Sequence, residues 1–185
     1  LGCADLQQAI SIIRDVAEKD GISNLPPVGA LIETPSAVFA IEEILAASDF
    51  VSIGTNDLTQ FMLAADRNAL AMVDDYTILH PSVLRAVHRV IAAANASGKS
   101  VAVCGEAAAD PRVACLLVGL GAHRLSMSPV SAARVRFALR ASHQDALMSL
   151  AHAALKSISG QTVSTLVTEA LQDIYPEHHA DKISV

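Results

Sequence analysis

Tryptophan is absent from this 185-residue chain, and aromatic residues make up only 3% of it. No run of apolar residues reaches the length of a membrane span, and the first residues do not form a signal peptide. The chain begins at Leu1 rather than Met and reads as a piece of a longer protein. There is no basic run or patch, and the formal net charge is −6, so nucleic acid is not an expected partner. The three cysteines, Cys3, Cys104 and Cys115, are an odd number in no CxxC arrangement. They read as reduced thiols of a cytoplasmic protein rather than a disulfide framework. Hydrophobic residues reach 52%, mostly Ala, Val, Leu and Ile, which excludes disorder and suits helices packed on a buried sheet. The length allows one substantial domain.

Three short apolar runs each end in groups that can do chemistry. VGALIE ends at Glu33, FVSIGTND at Asn56 and Asp57, and SVAVCGE passes through Cys104 to Glu106. Each run reads as a buried strand, and helical periodicity follows each one. The spacing predicts a first helix over about 4–19, with Leu6, Ile10, Ile13 and Val16 at helical intervals and a stop at Asp20-Gly21. A strand over 28–33 comes next. A helix opening at Thr34-Pro35 then carries Val38, Ile41, Ile44 and Leu45 on its inner face. The second strand covers 50–54, a helical stretch runs from Leu58 to about Ala65, and a polar loop containing Asp66-Arg67 leads to His80. Pro81 opens a long helix closed by Gly98. The third strand is 101–104, and Asp110-Pro111 caps a helix ending at 119–121. The fourth strand is 124–128, and Pro129 opens a helix to about Ala141. Two amphipathic helices follow over 143–175, broken near Ser159-Gly160.

The order is a leading helix, four βα units and a helical tail, which implies a parallel sheet. A (βα)8 barrel needs about 250 residues, so four units are about half of one. A leading helix with no strand before it favours the second half of a TIM-type barrel over a small open sheet. The division expected is 1–141 for the half-barrel and 142–185 for the tail. In such an architecture the C-terminal ends of the strands share one rim, where Glu33, Asn56, Asp57 and Cys104 would converge.

Taken singly, each residue has two readings. Glu33 is either a helix cap or surface carboxylate, or a desolvated acid that needs a cation. Asp57, after Asn56, is either part of a simple Asn-Asp turn or, with Glu33, part of a site for a hard divalent ion such as Mg²⁺. Arg67 is either a solvated cation or a clamp for a phosphate or carboxylate. Cys104 is either inert core or an acid or nucleophile. The seven histidines show no ligand spacing beyond the adjacent His178 and His179, and read as surface or structural residues.

Five blocks taken together narrow these readings. IETPSAV (32–38), DFVSIGTNDLTQFMLAADR (49–67), HPSVLRAV (80–87), CGEAAADP (104–111) and LGAHRLSMSP (120–129) resemble, in order, the phosphoenolpyruvate-utilising enzyme family. Within it, the short link from Arg67 to HPSVL and the ETPSAV form look most like enzyme I, the phosphoenolpyruvate–protein phosphotransferases. The resemblance implies a (βα)8 barrel that binds phosphoenolpyruvate and Mg²⁺. It implies Glu33 and Asp57 as metal ligands, Asn56, Asp57 and Arg67 as substrate-binding residues, and Cys104 as the catalytic proton donor at carbon 3. It also implies a homodimer, a phosphohistidine domain in the same full-length protein and a small histidine phosphocarrier protein as later acceptor, in sugar uptake or its regulatory branch.

The family's first half-barrel, with further arginines, and its phosphohistidine motif are not found in this sequence. The chain alone is therefore not expected to complete the reaction. Two other readings compete: a fragment of a pyruvate phosphate dikinase or phosphoenolpyruvate synthase, and a non-catalytic dimerisation remnant. The intact set Glu33, Asn56, Asp57, Arg67 and Cys104 argues against the remnant.

Overall fold

The computed structural model of the chain describes residues 2–64 and 77–174. Helix α1 (Cys3–Lys19) leads into β1 (Gly29–Ile32), α2 (Pro35–Phe39), α3 (Ile41–Ala47) and β2 (Phe50–Gly54). Then come α4 (Thr55–Leu63), α5 (Pro81–Ala96), β3 (Ser100–Cys104), a 3₁₀ turn (Glu106–Ala109) and α6 (Pro111–Gly119). β4 (Arg124–Ser126), α7 (Pro129–Ala141), α8 (Gln144–Lys156) and α9 (Gly160–Leu171) complete the described fold.

The strands form one four-stranded sheet in the order β1-β2-β3-β4, with every pairing parallel. Its two faces differ in kind. Ile32, Val51, Ile53 and Val103 are fully buried and Val101 nearly so, all pointing into the helical layer. The alternate residues, Leu31, Ser52 and Ala102 in one register row, point the other way. Leu31 there is 51% exposed. Parallel sheets are normally covered on both faces. A doubly wound sheet would place helices on each side and reverse its strand order at a switch point. Consecutive parallel strands with the described helices on one side only are instead a run of strands from a (βα)8-type barrel, whose uncovered face corresponds to the barrel interior.

The core lies between sheet and helices. Leu84, Val87 and Ile91 of α5 and Val113, Leu116 and Leu117 of α6 are fully buried, at the i, i+3 and i+4 spacings of inward helix faces. The tail joins that same core through Leu147, Leu150 and Ala154 of α8 and Val163, Val167 and Leu171 of α9.

Two local differences from the sequence expectation have clear causes. The helix after β1 is broken at Ala40, and the Val38 carbonyl freed there accepts a bond from Arg89 Nε at 3.1 Å. The same guanidinium also holds the Glu42 carboxylate, so α5 fixes the break from outside. The helix after β2 begins at Thr55 rather than Leu58, so Asn56 and Asp57 lie in its first turn instead of in a free turn. On α1 the apolar stripe is mostly uncovered: Ile10 is buried, whereas Ile13 and Val16 are 40% and 51% exposed.

Candidate functional site at the strand rim

The sheet register decides what meets at the C-terminal rim. Gly54 of β2 is paired with Cys104 of β3, and Cys104 with Ser126 of β4. Ile32 pairs with Ile53, so Glu33 stands one step further along β1, beside Gly54. A Cβ on Gly54 would lie 2.9 Å from Glu33 Oε2. The missing side chain there lets the Glu33 carboxylate lie across β2 towards Cys104.

Cys104 is gripped by β2 in two places. Its thiol donates to the Ile53 carbonyl at 3.1 Å, and its own carbonyl accepts from Thr55 Oγ1 at 3.0 Å. Gly105 follows with φ 121, a region that an L side chain rarely adopts. A Cβ at Gly105 would overlap the Thr55 hydroxyl oxygen and lie 3.0 Å from Asn56 Oδ1. The β3 rim and the start of α4 therefore touch with no side chain between them.

Among the described residues, Asn56 Oδ1 is buried and has no hydrogen-bond partner. Leaving such an acceptor unpaired costs about 1–3 kcal/mol, more than a typical hydrogen bond contributes, so the acceptor is suited to a bound group. Thr59 Oγ1, one turn along the same helix, is buried and unpartnered too.

The structure thus brings Glu33, Asn56 and Cys104 together at one rim, with Asp57 beside Asn56 in the first turn of α4. Arg67 lies outside the described residues. The rim itself is open to the uncovered sheet face. Cavities of about 510 and 590 Å³ occur elsewhere, one at the opposite strand ends near Arg14 and Asp49, the other behind β4 near Val135. Among the described residues no three His, Cys, Asp or Glu side chains form a ready-made cage for a metal. Mg²⁺ does not require one, since it takes one or two carboxylates and completes its octahedron with water and substrate oxygens. Two carboxylates at one rim fit that donor set.

Two residues of the rim escaped the sequence reading. Thr55 and Gly105 gain their role only through the contact of the α4 start with β3. The usable signal was a glycine directly after a strand end.

Burial pushes the Cys104 thiol above the ordinary value, the Glu33 carboxylate pushes it further up, and a backbone hydrogen bond opposes them in part. The thiol therefore stays protonated at neutral pH. Glu33→Gln removes the negative neighbour and should move the inflection of Cys104 alkylation to lower pH. An unchanged alkylation profile would mean that the two groups do not meet. Cys115 is fully buried and also raised, first by burial, so the more accessible Cys104 should react ahead of it.

Comparison with known proteins extends this picture. Residues 3–144 match the family model of the PEP-utilising enzyme, PEP-binding domain. A phosphoenolpyruvate-protein phosphotransferase from Haemophilus influenzae is 38% identical over 170 residues, covering 90% of this chain and 29% of the relative. One from Cupriavidus necator is 44% identical over 130 residues, covering 70% of this chain and 22% of the relative. The chain thus spans well under a third of the length of these relatives. A crystal structure of a citrate lyase from Burkholderia xenovorans matches with a TM-score of 0.58 at 19% identity, covering 93% of this chain and 61% of that one. At that identity the likeness concerns the fold alone. The matched span takes in most of the described fold, and by that match the chain belongs to the PEP-utilising enzymes, in their PEP-binding domain.

Proposed function

We propose that this chain is the catalytic half-site of a phosphoenolpyruvate–protein phosphotransferase, completed by residues outside it. The observation that carries the reading is the rim itself, where a carboxylate, a buried unpaired amide oxygen and a protonated thiol converge on the open side of the sheet. The names of the Haemophilus and Cupriavidus relatives support it.

In this reading Asn56 donates through its side-chain NH₂ to the substrate phosphate. Its Oδ1 accepts from a polar group of the bound assembly. Arg67 neutralises the substrate anion. Glu33 and Asp57 would hold Mg²⁺, which when bound draws charge from the phosphoryl group and the developing enolate. The phosphoryl group leaves for a histidine outside this chain, in the phosphohistidine domain of the full-length protein. Cleavage of the P–O bond leaves the enolate of pyruvate. Cys104 gives its proton to carbon 3, and pyruvate forms. A thiol kept protonated by burial is suited to that step. A small histidine phosphocarrier protein then takes the phosphoryl group, in a cytoplasmic homodimer serving sugar uptake or its regulatory branch. Among the described residues no helix is long and apolar enough to cross a membrane.

The test is calorimetry of phosphoenolpyruvate binding to the full-length protein, with and without Mg²⁺, beside this chain alone. Mg²⁺-dependent binding by the full-length protein, much weakened in the isolated chain, is expected. Binding that ignores Mg²⁺, or none by the full-length protein, would overturn the assignment.

A further inference from the structure

Thr55 offers chemistry that the site as described does not use. It is 1% exposed, and it stands where β2 gives way to α4. A threonine inside a helix usually returns its hydroxyl to a carbonyl one turn back. At the first residue of α4 no helical carbonyl lies behind it, and the hydroxyl crosses to the Cys104 carbonyl, 49 residues away in sequence. Two residues earlier, the Ile53 carbonyl accepts a hydrogen bond from the Cys104 thiol. The end of β2 thus holds Cys104 by main chain and side chain at once. The peptide it holds needs that support. Gly105 on its far side, at φ 121, has no Cβ to restrict rotation.

We propose that Thr55 is a positioning residue for Cys104, its hydroxyl fixing the Cys104–Gly105 peptide so that the thiol faces carbon 3 of the substrate. The inference rests on Cys104 as proton donor. In the step it serves, the S–H bond breaks as the C3–H bond forms, the electron pair stays on sulfur, and the thiolate recovers a proton from water at the open rim. Substrate binding is left to other groups, so Thr55 bears on proton delivery rather than affinity.

The experiment uses the full-length protein with Thr55→Val, which keeps the shape and removes the hydroxyl, and Thr55→Ser, which keeps the hydroxyl. Pyruvate formation is followed in a single turnover, together with phosphoenolpyruvate affinity and the deuterium content of the pyruvate methyl group formed in mixed H₂O and D₂O. Thr55→Val should slow protonation by roughly tenfold, within the penalty that small misplacements of reacting groups exact. Its affinity should stay near that of the wild type, and its isotope ratio should move towards that of Cys104→Ala, where solvent is the donor. Thr55→Ser should match the wild type in all three measurements. A wild-type rate and ratio in Thr55→Val overturns the proposal. So does equal impairment in both variants, or a defect in Thr55→Ser should Thr55→Val fail to fold. A wild-type isotope ratio equal to that of Cys104→Ala instead refutes Cys104 as donor, and is thereby distinguished from a failure of Thr55 alone.

Discussion

Gly105→Ala should all but abolish turnover of phosphoenolpyruvate by the full-length protein, by on the order of a hundredfold or more. It should also destabilise the fold by about 3 kcal/mol. Two costs combine. A backbone at φ 121 and ψ 173 costs a side-chain-bearing residue roughly 1–3 kcal/mol. The new methyl also overlaps the Thr55 hydroxyl and crowds Asn56. Neither neighbour can withdraw cheaply: Thr55 is buried and bonded to the Cys104 carbonyl, and Asn56 sits in the first turn of α4. Relief must come from parting the β3 rim from α4, which separates Cys104 from Asn56. Thermal denaturation and single-turnover kinetics would measure both effects. A stable, active Gly105→Ala protein would show that the rim is looser than the close contact implies.

Asp57→Ala should remove most Mg²⁺-dependent activity while leaving the fold intact. The side chain is only half-buried and lies at a helix start, so its loss opens no core cavity. A metal's stabilisation of transition-state charge amounts to several kcal/mol, and at 1.36 kcal/mol per tenfold its loss corresponds to roughly a thousandfold in rate. Asp57→Asn, which keeps the shape without the charge, should be nearly as poor. The measurement is the dependence of turnover on Mg²⁺ concentration in the full-length protein, with circular dichroism confirming the fold. Either variant responding to Mg²⁺ as the wild type does would remove Asp57 from the metal site.

Most of the architecture was legible because a parallel sheet buried on its helical side writes itself as short apolar runs. Phe50–Gly54 and Pro129–Ala141 were bounded correctly by glycine, proline and periodicity. The break at Ala40 was not, because its cause is Arg89, on a helix more than forty residues later. The helix beginning at Thr55 was placed three residues late, because Thr-Asn-Asp reads locally as a turn and only packing under β3 makes it helical. On α1, spacing marked an apolar stripe but could not say that most of it would remain uncovered. At the rim, the groups that bear chemistry could be named from strand ends. The groups that arrange them, Thr55 and Gly105, required the register between β2 and β3.

The chain-order sheet also has a kinetic side. The β1 and β2 starts, tied through Val28 and Asp49, are 21 residues apart, whereas Thr55 and Cys104 are 49 apart. Loop-closure entropy grows as the logarithm of length, so the second junction costs roughly 0.7 kcal/mol more to close. That difference is modest, but it falls on the seam that carries the reacting groups. Among the strand pairings, the one that assembles the chemistry closes the longest loop. The bonds that Ile53 and Thr55 make with Cys104 help to offset that closure cost.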